Sequence, residues 1–138
     1  MVKVIEGGRP AQRQIVLVVD DEPIIRLGIA LHLEQCGFDV REAESAEDAI
    51  AVLQEPGCVI NLVFSDVRMP GKMDGVGLSR WIFENRPNIP VILASGDIAK
   101  NTAIHDLCGA ETITKPYDYA VATERIRAAI KSKILPRS

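Results

Sequence analysis

The chain has 138 residues, 47% hydrophobic and 25% charged, with 16 Lys plus Arg against 19 Asp plus Glu and a formal net charge of -3. That length allows one domain of ordinary size with a core that needs no disulfide or metal staple. The charge balance argues against a strongly basic nucleic-acid module, and no apolar run approaches the ~20 residues of a membrane-spanning helix.

Met1 to Gln14 is polar, broken by Gly7, Gly8 and Pro10, and lacks the apolar segment of a secretory signal; it reads as a flexible arm. Beyond it, apolar runs alternate with helical patterns five times. Ile15 to Val19 is unbroken and β-branched, as in a strand buried on both faces. Pro23 suits a first helical position; Ile24, Leu27, Gly28 and Leu31 follow at helical spacing, and Gly37 closes the segment. Phe38 to Ala43 alternates with polar residues. Ser45 caps a second helix bearing Ala46, Ala49, Ile50 and Leu53. Val59 to Phe64 is again mostly apolar. Asp74 caps a third helix with Leu78, Trp81 and Ile82 inward, and Val91 to Ala94 is the fourth run. A weaker helix covers Ala99 to Leu107. Thr112 to Thr114 is a short fifth run, and Asp118 caps a last helix carrying Ala122, Ile126, Ala129 and Ile130.

Five such alternations predict an α/β fold: a flavodoxin-like, doubly wound parallel sheet with five helices. The uniformly apolar runs 1, 3 and 4 belong in the middle and the alternating runs 2 and 5 at the edges, which the strand order 2-1-3-4-5 satisfies. The aromatics, one Trp, two Tyr and three Phe, leave the core to aliphatic side chains. Three widely spaced cysteines, Cys36, Cys58 and Cys108, form neither a C-x-x-C pair nor a zinc-type cluster and fit thiols in a reducing cytoplasm.

The chemistry lies just past the runs. Run 1 ends in Asp20-Asp21-Glu22, run 3 in Ser65-Asp66, run 4 in Ser95-Gly96 and run 5 in Lys115-Pro116; run 2 contributes nothing comparable. Ligands of open parallel sheets bind beyond the carboxyl ends of the strands, at the point where strand order reverses. Asp20, Asp21 and Asp66 therefore converge on one crevice, with Ser95 and Lys115 at its rim. Three crowded carboxylates repel one another, and a hard divalent cation with oxygen ligands, Mg²⁺, relieves that repulsion.

At these residues the chain resembles a response-regulator receiver domain of two-component signalling. The likeness runs from Ile15 to about Lys131 and rests on Asp20-Asp21, Asp66-Val67-Arg68-Met69-Pro70 with Met73-Asp74-Gly75, Ala94-Ser95-Gly96 and Lys115-Pro116. It implies that Asp66 accepts a phosphoryl group from a histidine kinase or histidine phosphotransfer protein. It also implies that Mg²⁺ is held by Asp20, Asp21, Asp66 and the Arg68 backbone carbonyl, that Lys115 neutralises phosphoryl charge, and that the Ser95 hydroxyl bonds a phosphoryl oxygen. Such a domain is no enzyme beyond its own phosphorylation and dephosphorylation. Its output surface would be the fourth helix, fifth strand and fifth helix, facing an unknown downstream protein; phosphorylation-dependent dimerisation is left open. The expected organisation is an arm over 1–14, a receiver over 15–132 and a tail over 133–138. The resemblance implies a stand-alone cytoplasmic switch, phosphorelay intermediate or phosphate sink, expected to act without direct nucleic-acid contact or membrane insertion.

The chain departs from the family pattern at three places. Thr112 stands where an aromatic is frequent, so a switch through an aromatic at that position is in question, and Tyr117 is read as core or partner contact. The loop from Pro70 to Asp74 is one residue longer than the commonest form, and Ser95 replaces the commoner Thr. Arg68 and Asp97, each two residues past a site position, are candidates to tune hydrolysis of the acyl phosphate or plain surface charges. Two other classes fit worse. A Mg²⁺-dependent phosphohydrolase commonly has a second acid two residues after the nucleophile, where Arg68 stands, and Asp20-Asp21-Glu22 would repel the phosphate of a flavin nucleotide.

Overall fold

The computed structural model describes residues 13–96 and 109–134. In chain order these form β1 (Ile15–Val19), α1 (Pro23–Gln35), β2 (Asp39–Ala43), α2 (Ala46–Leu53), β3 (Leu62–Asp66), α3 (Gly75–Asn85), β4 (Val91–Ser95), β5 (Glu111–Thr114) and α4 (Tyr119–Ile134). The five strands make one parallel sheet in the order β2-β1-β3-β4-β5. This is the flavodoxin-like doubly wound architecture expected from the sequence, with four helices among the described residues. The expected helix over Ala99 to Leu107, with Asp97, His105 and Cys108, lies outside them, as do most of the N-terminal arm and the end of the tail.

Two-residue periodicity builds the core in two layers. Successive side chains of a strand point to opposite faces. Leu17, Val19, Val63 and Leu93 pack on one face with Ala46, Ala49 and Leu53 of α2 and Leu78 and Ile82 of α3. Val16, Val18, Leu62, Phe64 and Ile92 pack on the other with Ile29 and Leu33 of α1 and Ala122, Ile126 and Ala129 of α4. Each fully buried Leu or Ile contributes about 1.5–3 kcal/mol. The middle strands β3 and β4 are buried throughout, whereas β2 and β5 expose half or more of their residues, as their alternating sequences require.

The helix starts follow the capping residues. Ser45 accepts from the Asp48 N–H at 3.0 Å, Asp74 from the Gly77 N–H at 2.9 Å and Asp118 from the Ala120 N–H at 2.7 Å. Gly37, with φ of 100°, ends α1 in the left-handed conformation that glycine adopts freely.

Two details go beyond the apolar pattern. Ile24, Leu27 and Leu31 are at helical spacing but face outward, 86%, 51% and 49% exposed; the buried face of α1 is Ile29, Ala30 and Leu33. The helix is apolar on nearly every side, so periodicity alone does not select the face. The third strand begins at Leu62, not Val59. The Asn61 side chain accepts from the Ile15 N–H at 2.7 Å, and the Asn61 N–H donates to the Ile15 carbonyl at 2.8 Å, closing the ladder there and leaving Val59 exposed in the crossover.

Candidate functional site

Strand register places the chemical residues in a row at one end of the sheet. β1 ends at Val19, opposite Ala43 on one side and Ser65 on the other. The next residue, Asp20, still donates its N–H to the Ala43 carbonyl at 3.1 Å. Asp66 is the last residue of β3, opposite Ala94, and Ser95 the last of β4, opposite Thr114. The Lys115 N–H donates to the Ser95 carbonyl at 2.8 Å, so the lysine leaves β5 beside the ends of its neighbours.

The side chains converge. One carboxylate oxygen each from Asp20, Asp21 and Asp66 lies within 4.8 Å of the others. Lys115 Nζ is 3.3 Å from Asp66 Oδ2, with the Asp66 side chain only 9% exposed. Asp20 and Ser95 are buried and Asp21 half-buried. A cleft of about 350 Å³, lined by Glu22, Asp66, Arg68, Ser95 and Lys115, opens over them. Of the positions singled out in the sequence, Asp66, Ser95, Lys115 and the exposed Arg68 line this cleft, and Asp20 and Asp21 adjoin it through their carboxylate contact with Asp66.

Burial and charge act together here. Burial, first, and then the Asp66 and Asp21 charges hold the Asp20 carboxyl above the usual carboxylate range; the Glu22 N–H, 2.9 Å from Asp20 Oδ1, and the Lys115 charge partly offset this. A cluster of acidic oxygens that one lysine only partly neutralises is a donor set suited to a hard divalent cation. The carboxylates of Asp20, Asp21 and Asp66 are close enough together to hold one such ion.

The neighbouring loop is tied to the site by a close approach. A Cβ on Gly75 would run into the Asp66 carbonyl oxygen and lie 2.8 Å from Val67 Cα. Only glycine lets α3 begin against the end of β3, where the Gly75 N–H donates to the Val67 carbonyl at 2.8 Å.

The remaining candidates sort into packing. Tyr117 is half-buried in the layer of α1 and α4, edge-on to Phe64 at 5.3 Å; burial, then the charge of Asp20, pushes its hydroxyl well above the usual phenol range. Thr112 is half-buried on β5, and its carbonyl accepts from Arg125 at 2.9 Å. His32 lies against Tyr119 at 5.4 Å and touches Cys36 Sγ, and among the described residues it belongs to no metal-binding group. Trp81 is half-buried on α3 under the Arg86 guanidinium.

Two residues near the pocket escaped the sequence reading. Arg26 donates from Nη1 to the Asp20 carbonyl at 2.7 Å and from Nε to Glu42 Oε1 at 2.9 Å. Glu42 lies on β2, the run that had offered no site residue. The only sequence signal was a basic residue within an otherwise apolar first half of α1.

Comparison with known proteins agrees with this geometry. The model of the response regulator receiver domain matches residues 16–129. Response regulator RR06 of Streptococcus pneumoniae is 33% identical over 118 residues, covering 84% of this chain and 52% of that protein. Sensor kinase CckA of Brucella abortus is 40% identical over 81 residues, covering 59% of this chain and 8% of the kinase. The chain thus spans about half of the one relative and a small part of the other. Among solved structures, a CheY-like receiver domain protein from Methanospirillum hungatei JF-1 superposes with a TM-score of 0.81 at 25% identity, covering 88% of this chain and 97% of that one. The chain belongs to the response regulator receiver domains of two-component signalling.

Proposed function

We propose that Asp66 is the phosphoacceptor of this receiver, that a histidine kinase or histidine phosphotransfer protein is its donor, and that it works in the cytoplasm. The observation that carries the reading is the placement of Lys115 Nζ 3.3 Å from Asp66 Oδ2, beside the carboxylates of Asp20 and Asp21. In the step, an Asp66 carboxylate oxygen attacks the phosphorus of a phosphohistidine. An O–P bond forms as the P–N bond breaks, and the imidazole leaves with the electron pair and takes up a proton. A carboxylate is a weak nucleophile, so positioning and charge cancellation supply the catalysis. Lys115 pairs with the incoming phosphoryl oxygens, and the Ser95 hydroxyl, at the end of the neighbouring strand, donates to one of them. Asp20, Asp21, Asp66 and the Arg68 carbonyl would hold Mg²⁺, which when bound offsets negative charge on the phosphoryl group.

The acyl phosphate adds charge and strong acceptors at one buried spot. Drawing Ser95 toward it moves the end of β4, and we assign the readout to the segment that follows together with β5 and α4. Without an aromatic at Thr112, that coupling runs through the strand end itself. The test is incubation of the full chain with Mg²⁺ and acetyl phosphate, read by intact mass. One added phosphoryl group in wild type, absent from Asp66→Asn, is expected. Undiminished labelling in Asp66→Asn would overturn the assignment, and rapid turnover of many phosphoesters would point to a hydrolase instead.

A further inference from the structure

The Asp20–Asp21 turn is fastened at several points, and one of them is a side chain outside the acidic cluster. The Asp20 N–H is held by the Ala43 carbonyl, and the Asp20 carboxylate folds back to the Glu22 N–H. The Asp20 carbonyl lies past the last paired residue of β1, and it accepts from Arg26 Nη1 at 2.7 Å. Arg26 is itself held, with Nε 2.9 Å from Glu42 Oε1 and its side chain only 17% exposed. Glu42 stands opposite Val18, next to the end of edge strand β2, so the guanidinium ties α1, the end of β1 and β2 together.

The geometry matters because the Asp20 carbonyl and the Asp21 N–H share one rigid peptide plane. Fixing that plane fixes the Asp21 Cα and its N–Cα bond, and so narrows the directions in which the Asp21 side chain can leave the backbone. A guanidinium presents its donors in a fixed fork, which a lysine cannot reproduce. We propose that Arg26, oriented by Glu42, is a positioning residue of the acidic pocket: it locks the Asp20–Asp21 peptide so that both carboxylates meet that of Asp66 in a cation-ready arrangement. This rests on the reading of the pocket as a Mg²⁺ site and adds to it the groups that orient the ligands.

Charge alone would have the opposite effect. A cation beside the pocket repels Mg²⁺, so if Arg26 acted only through its charge, its removal would tighten binding. Positioning requires that removal weaken it.

The experiment is Mg²⁺ titration of the metal-free full chain by calorimetry, without any phosphodonor. Arg26→Gln is expected to weaken Mg²⁺ binding about tenfold, the lower end of what loss of a ligand-orienting partner costs. Arg26→Lys, which keeps the charge but not the fork, should also weaken it. Glu42→Gln, which keeps an acceptor at the same place, should stay closer to wild type than Glu42→Ala. Arg41→Gln removes another ion pair of β2, the exposed one to Glu55 at 3.1 Å, and should change nothing. Amide hydrogen exchange at Asp21 and Glu22 in metal-free protein should quicken in Arg26→Gln and not in Arg41→Gln, which separates a local effect from loss of stability. Wild-type affinity, or tighter binding, in a folded Arg26→Gln would overturn the proposal. A wild-type chain that binds no Mg²⁺ would overturn the pocket reading itself, and the proposal with it.

Discussion

Leu17 and Asp20 stand three residues apart on β1 and its extension, and both are almost fully buried, yet they do opposite things for the fold. Leu17 lies among aliphatic side chains of α2, α3 and the neighbouring strands. Asp20 is pressed against two other carboxylates in a setting that disfavours its charged form. The apolar body of the sheet supplies the stability; its carboxyl end gives some of it up to hold negative charge together. A scaffold can tolerate that cost because the strands continue beneath the site as a packed core.

The contrast can be broken from either side. The largest expected effect is in the body. Leu17→Ala removes a side chain with no exposure in the middle of the sheet and should cost about 3 kcal/mol, measured by urea denaturation. Asp74→Ala removes the cap of α3, accepting at 2.9 Å, and should cost about 1 kcal/mol in the same assay.

At the mouth the sign should reverse. In metal-free protein at neutral pH, Asp20→Asn should stabilise the fold, by less than the Leu17→Ala loss. Burial and neighbouring carboxylates raise the Asp20 carboxyl in the folded state, so the folded chain holds that proton more tightly than the unfolded chain does. The cost is therefore complete above the raised pKa and shrinks as pH falls through it. It is gone below the ordinary carboxylate value. The advantage of Asp20→Asn should narrow over the same range, as denaturation at two pH values would show. An Asp20→Asn protein that is less stable at neutral pH would contradict the contrast. The smallest effect belongs to the surface: Arg41→Gln, losing an exposed pair, should change stability by at most about 0.5 kcal/mol.

The same division governs how much could be read from the sequence. Strand order followed from which runs are continuous and which alternate, and the caps at Ser45, Asp74 and Asp118 followed from side-chain chemistry one turn away. The convergence of Asp20, Asp21, Asp66, Ser95 and Lys115 could be expected because each lies at or just past the end of a strand-like run, and parallel strands bring such ends together. The buried face of α1 was not legible, since Ile24, Leu27 and Leu31 look as apolar as Ile29 and Leu33, and only the packing of the helix on β1 and α4 separates them. Nor was the start of β3, where a side-chain bond from Asn61 closes the ladder. The Arg26–Glu42 contact joins an interior helix position to an edge strand, and a contact between elements has no local signature.

The central claim is that the phosphoryl group resides on Asp66 as an acyl phosphate. The most direct measurement is borohydride reduction of the Mg²⁺- and acetyl phosphate-treated chain, followed by peptide mapping. Reduction of an acyl phosphate on Asp66 converts that aspartate alone to homoserine, and this is the predicted result. Homoserine at another aspartate, or a phosphoryl group that survives reduction on Ser95 or His32, would contradict it.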